Sequence, residues 1–300
     1  VTAMVGDFEN FSRRVDPVRG RLKDAGLSDC DYGRSLSNLA WSSMVAEEAR
    51  DAPDFTKTLE ILADARPFFE PGGRCEDGKS RVDAALNAAF AHLRQGQLAQ
   101  AQIALASFEQ TTTATQAQWR QLIHGMLEAK RGETSAALNA FVDLVRRAEE
   151  QSQFDLAWRA MIAAADAAYE QGEIEDSLAF HRAANRLISD QLWSVSADDA
   201  RELFVASRRG ASVRFIERLL AQGRSEEAWC EFRLSRTMAL RTFMEAQTDA
   251  TSDEVREGDD RNSRAVEAWR SRRAALEESR REDWGRSAQD LKRAKSLRAR

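Results

Sequence analysis

Apolar residues recur at steps of three and four along most of the chain, the spacing that places them on one face of an α-helix. Leu36, Leu39, Ala40 and Met44 show this spacing early in the sequence. No stretch alternates apolar and polar residues between turn signals, as a strand would. The 50 alanines favour helix, and all 4 prolines precede residue 72, so no proline interrupts helices after that point. We therefore predict an all-α fold.

A glycine recurs at the ends of predicted helices from residue 96 onward. These glycines lie 36, 40 and 51 residues apart: Gly96, Gly132, Gly172 and Gly223. Glycine adopts the left-handed conformation that ends a helix at little cost. Five positions after each glycine stands a small residue, namely Ala101, Ala137, Ser177 and Ala228. A single pair of helices cannot bury its own apolar stripe, so the pairs are expected to stack.

This repeat resembles the tetratricopeptide repeat (TPR). The family's small residue in the first helix of each unit matches Ala89, Gly125 and Ala165. Its large residue in the second helix matches Leu105, Phe141, His181 and Phe232. The sequence departs from the family pattern because the units lack a closing proline and the fourth has Ile216 where a small residue is usual. Over residues 80–247 the resemblance implies a TPR-like right-handed α-solenoid of helical hairpins.

The fourth unit resembles the last TPR unit of bacterial proteins that carry a CHAT domain, a caspase-like protease fold. The matching residues form two short motifs: Gly223, Arg224, Glu226, Glu227, Ala228, and then Ser235, Arg236, Ala239, Leu240. In that family a charged helical hairpin then leads to the protease, and residues 262–298 would be this hairpin. The resemblance implies that the chain is a helical regulatory arm without its catalytic domain.

The predicted organisation has four parts. Residues 1–66 form N-terminal helices, and a loop with two prolines and three glycines follows them. Residues 80–247 form the TPR-like array. Residues 248–260 contain six acidic side chains and little apolar content, so we predict an acidic linker. Residues 261–300 are predicted to form a charged helical hairpin.

Charge and hydropathy exclude several classes of partner. The net charge is −5 and the sequence pI is about 5.5, whereas a protein that coats nucleic acid needs a basic surface. No run of apolar residues approaches the 18 or more of a membrane span. No secretory leader opens the chain. We therefore predict a cytoplasmic protein that binds neither nucleic acid nor a membrane. Nucleic-acid binding by the C-terminal tail, where residues 251–300 have 14 basic and 11 acidic side chains, is the less favoured alternative to a solvated face.

Cysteine and histidine give little evidence of chemistry. Cys30, Cys75 and Cys230 are widely spaced, which predicts reduced thiols and neither a disulfide framework nor a zinc site. The three histidines lie at packing positions of the repeat, and no metal-binding or phosphate-binding motif is present. We therefore predict that this chain is not an enzyme and needs no cofactor.

Binding is the function that the pattern favours. The first helices of stacked hairpins form a concave surface in solenoids, and aromatic and arginine side chains dominate binding hot spots. By resemblance to the family, the inward positions are Phe90, Arg94, Trp119, Met126, Lys130, Arg159, Asp166 and Tyr169. The alternative is that the aromatic members only pack between neighbouring hairpins.

Three hypotheses follow from the sequence. The first is a protein- or peptide-binding scaffold or sensor arm that regulates an attached CHAT protease domain, or a freestanding TPR adaptor. The second is a structural module that self-associates through 262–298, where apolar residues such as Val266, Trp269 and Leu276 recur. The third, a hydrolase built on a cysteine and a histidine, has no local signature.

Overall fold

The computed structural model describes residues 8–48, 50, 52–70, 72–75, 77–108, 113–192 and 207–235. All secondary structure in this part of the chain is helical, which confirms the predicted all-α class for it. The acidic linker 248–260, the charged tail 261–300 and the self-association segment 262–298 lie outside the described residues, as do Arg236, Ala239 and Leu240.

Eleven helices occupy the described ranges. In chain order they are α1 Phe8–Asp24, α2 Asp29–Glu48, α3 Thr56–Phe69, α4 Gly78–Arg94, α5 Leu98–Ala106, α6 Ala114–Lys130, α7 Thr134–Glu150, α8 Phe154–Glu170, α9 Ile174–Leu192, α10 Arg209–Ala221 and α11 225–235. Asp77 caps α4, because its carboxylate accepts hydrogen bonds from the Lys79 and Ser80 amides. Thr113 caps α6 in the same way, as oxygen-bearing side chains commonly do.

The predicted glycine terminators are confirmed. Gly96, Gly132, Gly172 and Gly223 have φ angles of 78°, 90°, 77° and 69°. At each turn the amide after the glycine donates to a carbonyl five residues earlier, at distances from 2.8 to 3.0 Å. This bond satisfies a carbonyl that the end of a helix would otherwise leave open. The four helix pairs α4–α5, α6–α7, α8–α9 and α10–α11 therefore share one turn geometry.

The turn between α7 and α8 has the same geometry without a glycine. Ser152 has φ 55°, and the Gln153 amide donates to the Ala148 carbonyl at 2.8 Å. A left-handed conformation is unfavourable for a residue with a Cβ atom. This turn joins two successive helix pairs. The left-handed conformation of Ser152 therefore costs free energy locally, and contacts of the surrounding structure must offset that cost.

The close approach of small and large residues is visible inside the pairs. A Cβ atom on Gly125 of α6 would lie 2.8 Å from Cε1 of Phe141 on α7, and Phe141 is fully buried. In the next pair the Ser177 hydroxyl donates to the Ala165 carbonyl at 2.8 Å. Helix axes can come this close only where one side chain is very small.

Packing is continuous from α2 to α9. Helices adjacent in sequence contact each other, and α2 also contacts α4, α4 contacts α6, and α6 contacts α8. Met44 and Phe55 share a buried apolar cluster with Phe90 and Leu105, so α2 and α3 join the helices after residue 80 without a break. We call the surface formed by α2, α4, α6, α8 and α10 the even-helix face.

The prediction of three reduced thiols is wrong for two of them. Cys30 at the start of α2 forms a disulfide with Cys75 in the segment before α4, and Cys230 is free and exposed. The two partners are 45 residues apart in sequence, and the folding of α2 and α3 into a pair brings them together. Disulfides persist in oxidising environments, so this bond argues against a reducing compartment.

Candidate functional site

Arg159 of α8 lies at the centre of the even-helix face. Its Nη1 and Nη2 atoms donate to the two carboxylate oxygens of Glu48 on α2, each at 2.8 Å, and its Nε donates to Asp155 at 3.0 Å. Arg159 is 9% exposed, and only 7% of the Glu48 side chain is accessible. A two-pronged bond of this kind is the strongest geometry for an arginine–carboxylate pair.

Four aromatic rings surround the Arg159 guanidinium. Its carbon lies 5.2 Å from the centroid of Phe90, 5.5 Å from Trp158, and 5.6 Å from both Trp41 and Trp119. Trp119 meets Trp41 and Phe90 edge-to-face. Cations are attracted to ring faces at such distances, so Arg159 joins helices α2, α4, α6 and α8 at one point.

Electrostatics explain why these charges remain ionised. Burial alone would lower the pKa of Arg159, but the carboxylates of Asp155 and Glu48 outweigh it and raise the pKa above the ordinary value. Burial would raise the pKa of Asp155, yet the Arg159 and Arg208 guanidinium groups hold it below its ordinary value. Arg208 donates to Asp155 at 2.7 Å. The site is thus a mutually neutralising network in which Arg159 and Glu48 are buried and Asp155 is partly exposed.

A second network joins α8, α9 and α10. Arg218 donates to Asp166 at 2.6 Å and to Nε2 of His181 at 2.7 Å, and its guanidinium carbon lies 4.4 Å from the Tyr169 ring centroid. His181 stacks on Phe215 with ring centroids 5.2 Å apart. Because arginine can only donate, Nε2 of His181 is the acceptor and the ring is neutral.

We predict that His181 makes the protein sensitive to mild acid. Burial, together with the Arg218 and Arg214 charges, lowers the pKa of His181 to about 3. Below pH 6.5 His181 is protonated in the unfolded chain and remains neutral in the folded chain, so the free energy of unfolding decreases as the pH is lowered. Between pH 7 and pH 5 this group alone costs about 2 kcal/mol of unfolding free energy.

The variant His181→Phe removes the titrating ring. Phenylalanine is also the residue at the equivalent position of the α6–α7 pair, Phe141. Urea denaturation at pH 7 and pH 5 should show a loss of stability about 2 kcal/mol smaller in the variant than in the wild type. Equal losses in the two proteins would show that His181 titrates normally.

Arg94 and Arg214 face the same region with fewer partners. Nε of Arg94 lies 3.7 Å from Glu48, beyond hydrogen-bond distance, and 30% of its side chain is accessible. Nε of Arg214 is buried without a hydrogen-bond partner and lies 3.8 Å from Asp166. Burial lowers the pKa of Arg94 despite the Glu48 charge, and the Arg159 and Arg214 charges lower it further. Each of these two guanidinium groups therefore has a carboxylate within 4 Å but no short hydrogen bond to it.

An open groove of about 430 Å³ lies between α2, α4 and α6. Its apolar lining consists of Trp41, Leu86, Phe90 and Trp119, and Asn38 and Asn87 are among its polar residues. Asn87 makes only a long 3.4 Å hydrogen bond to Ser37. Apolar grooves with a few polar groups are the common form of ligand sites.

The structure brings together most of the residues predicted to bind a partner. Phe90, Trp119 and Arg159 meet directly, and Arg94 reaches the same site through Glu48. Tyr169 and Asp166 belong to the Arg218 network. Met126 packs, partly buried, against two apolar clusters, and Lys130 is exposed at the end of α6. Their roles in binding stay predictions, and Phe90 and Arg159 are largely buried.

Sequence reasoning missed several members of the site. They are Trp41, Glu48, Asp155, Arg208, Arg214 and Arg218. Trp41 and Glu48 stand before residue 80, where the predicted array began. Asp155 precedes Arg159 by one helical turn, a spacing at which side chains pair on one face, and this signal was available in the sequence.

The fourth-unit motif has a structural role that the contacts explain. Arg224, next to Gly223, donates to Glu175 of α9 at 2.8 Å and also pairs with Glu227. Glu227 in turn accepts from Arg182 of α9 at 2.9 Å. These ion pairs thus connect the start of α11 to helix α9 of the preceding pair.

Among the described residues, no group of three or more His, Cys, Asp or Glu side chains is arranged to hold a metal ion. No helix in these ranges has the length and apolar character needed to cross a bilayer. Comparison with known proteins found no matching family, curated protein or solved structure.

Proposed function

We propose that the chain is a TPR-like right-handed α-solenoid whose even-helix face binds a protein or peptide. The repeated helix pairs with glycine turns support the fold. So do the Gly125–Phe141 contact and the contacts between alternate helices. Stacked pairs of this kind expose one continuous surface of first helices.

The groove between α2, α4 and α6 is the observation that carries the binding proposal. The partly exposed rings of Trp41 and Trp119 offer apolar surface, whereas Phe90 is only 2% exposed. The half-buried Asn87 amide has capacity for further hydrogen bonds. An extended peptide needs apolar contact for its side chains and polar partners for its backbone. Since Arg159 fixes the rings from beneath, the groove would be pre-organised, which lowers the entropic cost of binding.

In this proposal the array is the sensing or scaffolding arm of a CHAT-type protease system. The support is the resemblance of the fourth unit, in which Gly223 has the left-handed turn conformation and Arg224 ties α11 to α9. Binding in the groove would alter how an attached domain is held. A cytoplasmic location belongs to the same proposal, and the Cys30–Cys75 disulfide weighs against it.

Selection of peptides from a random display library against the whole chain tests the groove. We expect enriched peptides to bind the wild type and to lose at least tenfold in affinity for Asn87→Arg, whose long side chain fills the groove. The matched control is Gln100→Arg on the exposed face of α5, which introduces the same charged side chain elsewhere.

Retained affinity in Asn87→Arg, or an equal loss in both variants, would contradict binding in the groove. Circular dichroism and thermal unfolding of the two variants should match the wild type, because neither position is buried.

A further inference from the structure

The Cys30–Cys75 disulfide joins the elements that carry two walls of the groove. Cys30 lies in the first turn of α2, and Cys75 lies in the segment that leads into α4. Ser37, a groove residue on α2, follows Cys30 by seven positions, which is about 10 Å along the helix axis. Lys79, a groove residue on α4, follows Cys75 by four positions. The disulfide is therefore a covalent link between the two walls close to the groove.

Two polar contacts supplement this covalent link between α2 and α4. Nη2 of Arg34 on α2 donates to Asp77, the N-cap residue of α4, at 2.6 Å. The Arg34 side chain is 49% exposed, so water and salt weaken this ion pair. Nearer the groove, the Asn87 amide donates to the Ser37 hydroxyl at a long 3.4 Å. The disulfide is thus the strongest of these three links.

The packing of α2 on α3 does not depend on the disulfide. Tyr32 meets Phe68 edge-to-face with ring centroids 5.3 Å apart, and Leu36 and Phe69 share one buried apolar cluster. The Cys75 amide also donates to the Phe68 carbonyl at 2.9 Å. Reduction would therefore leave α2 and α3 packed on each other and would remove the covalent link to the start of α4. We expect a local shift of α2 without unfolding of the chain.

A dithiol reagent has access to the bond from the side of α2. Cys30 is partly exposed, whereas Cys75 is only 2% exposed, and thiol–disulfide exchange depends on such access. A thiolate of the reagent attacks Sγ of Cys30, which breaks the S–S bond and releases Cys75 as a thiolate. The second thiolate of the reagent then attacks the reagent sulfur bound to Cys30, which releases Cys30 and leaves the reagent as a disulfide. Two electrons pass to the protein, and the two protons of the dithiol end on the two cysteines.

We propose that the Cys30–Cys75 disulfide is a redox-sensitive switch for the groove. With the bond closed, α2 holds Trp41 and Asn38 in position against α4, and the groove is pre-organised for a peptide. With the bond open, the α2 wall shifts relative to α4, and the groove binds more weakly. This inference rests on the proposed function and adds its regulation, because binding is then tight in an oxidising environment and weak where dithiols are abundant.

Fluorescence anisotropy with a labelled peptide from the library selection tests the switch on the whole chain. We expect the wild type in excess dithiothreitol to bind the peptide at least fivefold more weakly than the oxidised wild type. Cys30→Ser/Cys75→Ser should bind as weakly as the reduced wild type and should not respond to the reductant. The matched control Cys230→Ser changes a free and exposed thiol, so it should retain both the tight binding and its loss on reduction.

Hydrogen exchange measured by mass spectrometry shows whether the effect is local. At short labelling times, which report local opening, exchange in residues 33–44 of α2 should be faster after reduction. Exchange in residues 156–168 of α8 should be unchanged, and circular dichroism should show the same helical signal in both redox states.

The outcomes separate this inference from the proposed function. Equal peptide affinity in the two redox states would overturn the switch and leave the groove function in place. Weaker binding together with a loss of the helical signal would also overturn it, because the bond would then only keep the chain folded. If the oxidised chain binds no selected peptide, the proposed function fails. In that case, equal exchange of α2 in the two states would separately overturn its redox-dependent shift.

Discussion

Replacing Arg159 with methionine should lower the free energy of unfolding by about 3–5 kcal/mol, as expected when one partner of a buried ion pair is removed. Glu48 would lose both of its short hydrogen bonds while only 7% of its side chain is accessible. Asp155 would lose one of its two arginine partners. Urea denaturation of the variant and the wild type at pH 7 measures the change.

A double variant makes the test specific to the ion pair. Glu48→Gln/Arg159→Met removes the stranded charge together with its partner, so it should be more stable than Arg159→Met alone. The exposed pair of Arg146 and Glu150 on α7 is the matched control, and Arg146→Met should change stability by less than about 1 kcal/mol. A similarly small change for Arg159→Met would show that the pair is hydrated in solution.

Loss of the Cys30–Cys75 disulfide should be the second large effect. A cross-link that closes a loop of 45 residues restricts the unfolded chain, and the chain-entropy relation gives about 4 kcal/mol for this length. The variant Cys30→Ser/Cys75→Ser should therefore unfold at lower urea concentration than the oxidised wild type. Adding a reductant to the wild type should reproduce the loss.

Cys230 supplies the control for the disulfide. It is free and exposed, so Cys230→Ser should leave stability unchanged and should remove the one thiol that the oxidised chain offers to a labelling reagent. Three labelled thiols in the folded, air-oxidised wild type would show that the disulfide does not form.

Local features of the fold were predictable from the sequence because they depend on neighbouring residues. The left-handed turns at Gly96, Gly132, Gly172 and Gly223 follow from the conformational freedom of glycine at helix ends. The contact of Gly125 with Phe141 follows from their positions in one repeat unit. The left-handed turn at Ser152 was not predictable in this way, because a serine in the sequence does not indicate a left-handed conformation.

The features that sequence reasoning missed depend on tertiary proximity. Glu48 and Arg159 are 111 residues apart, and no periodicity connects them. Cys30 and Cys75 meet only once α2 and α3 have packed, so their spacing alone suggested reduced thiols. The α2–α3 pair was also left out of the array, because the sequence between these helices, residues 49–55, has no glycine to mark a turn.

The bond between Glu48 and Arg159 limits how this protein can be shortened. In modular arrays each unit contacts only its neighbours, so the stability of the array is approximately a sum of unit terms and nearest-neighbour terms. A deletion of all residues before α4 would remove Glu48. The buried guanidinium of Arg159, three helix pairs further along the chain, would then lose the acceptor of its two shortest hydrogen bonds. Engineers who cut the chain to a minimal fragment should keep α2, or replace Arg159 by an uncharged residue in the same step.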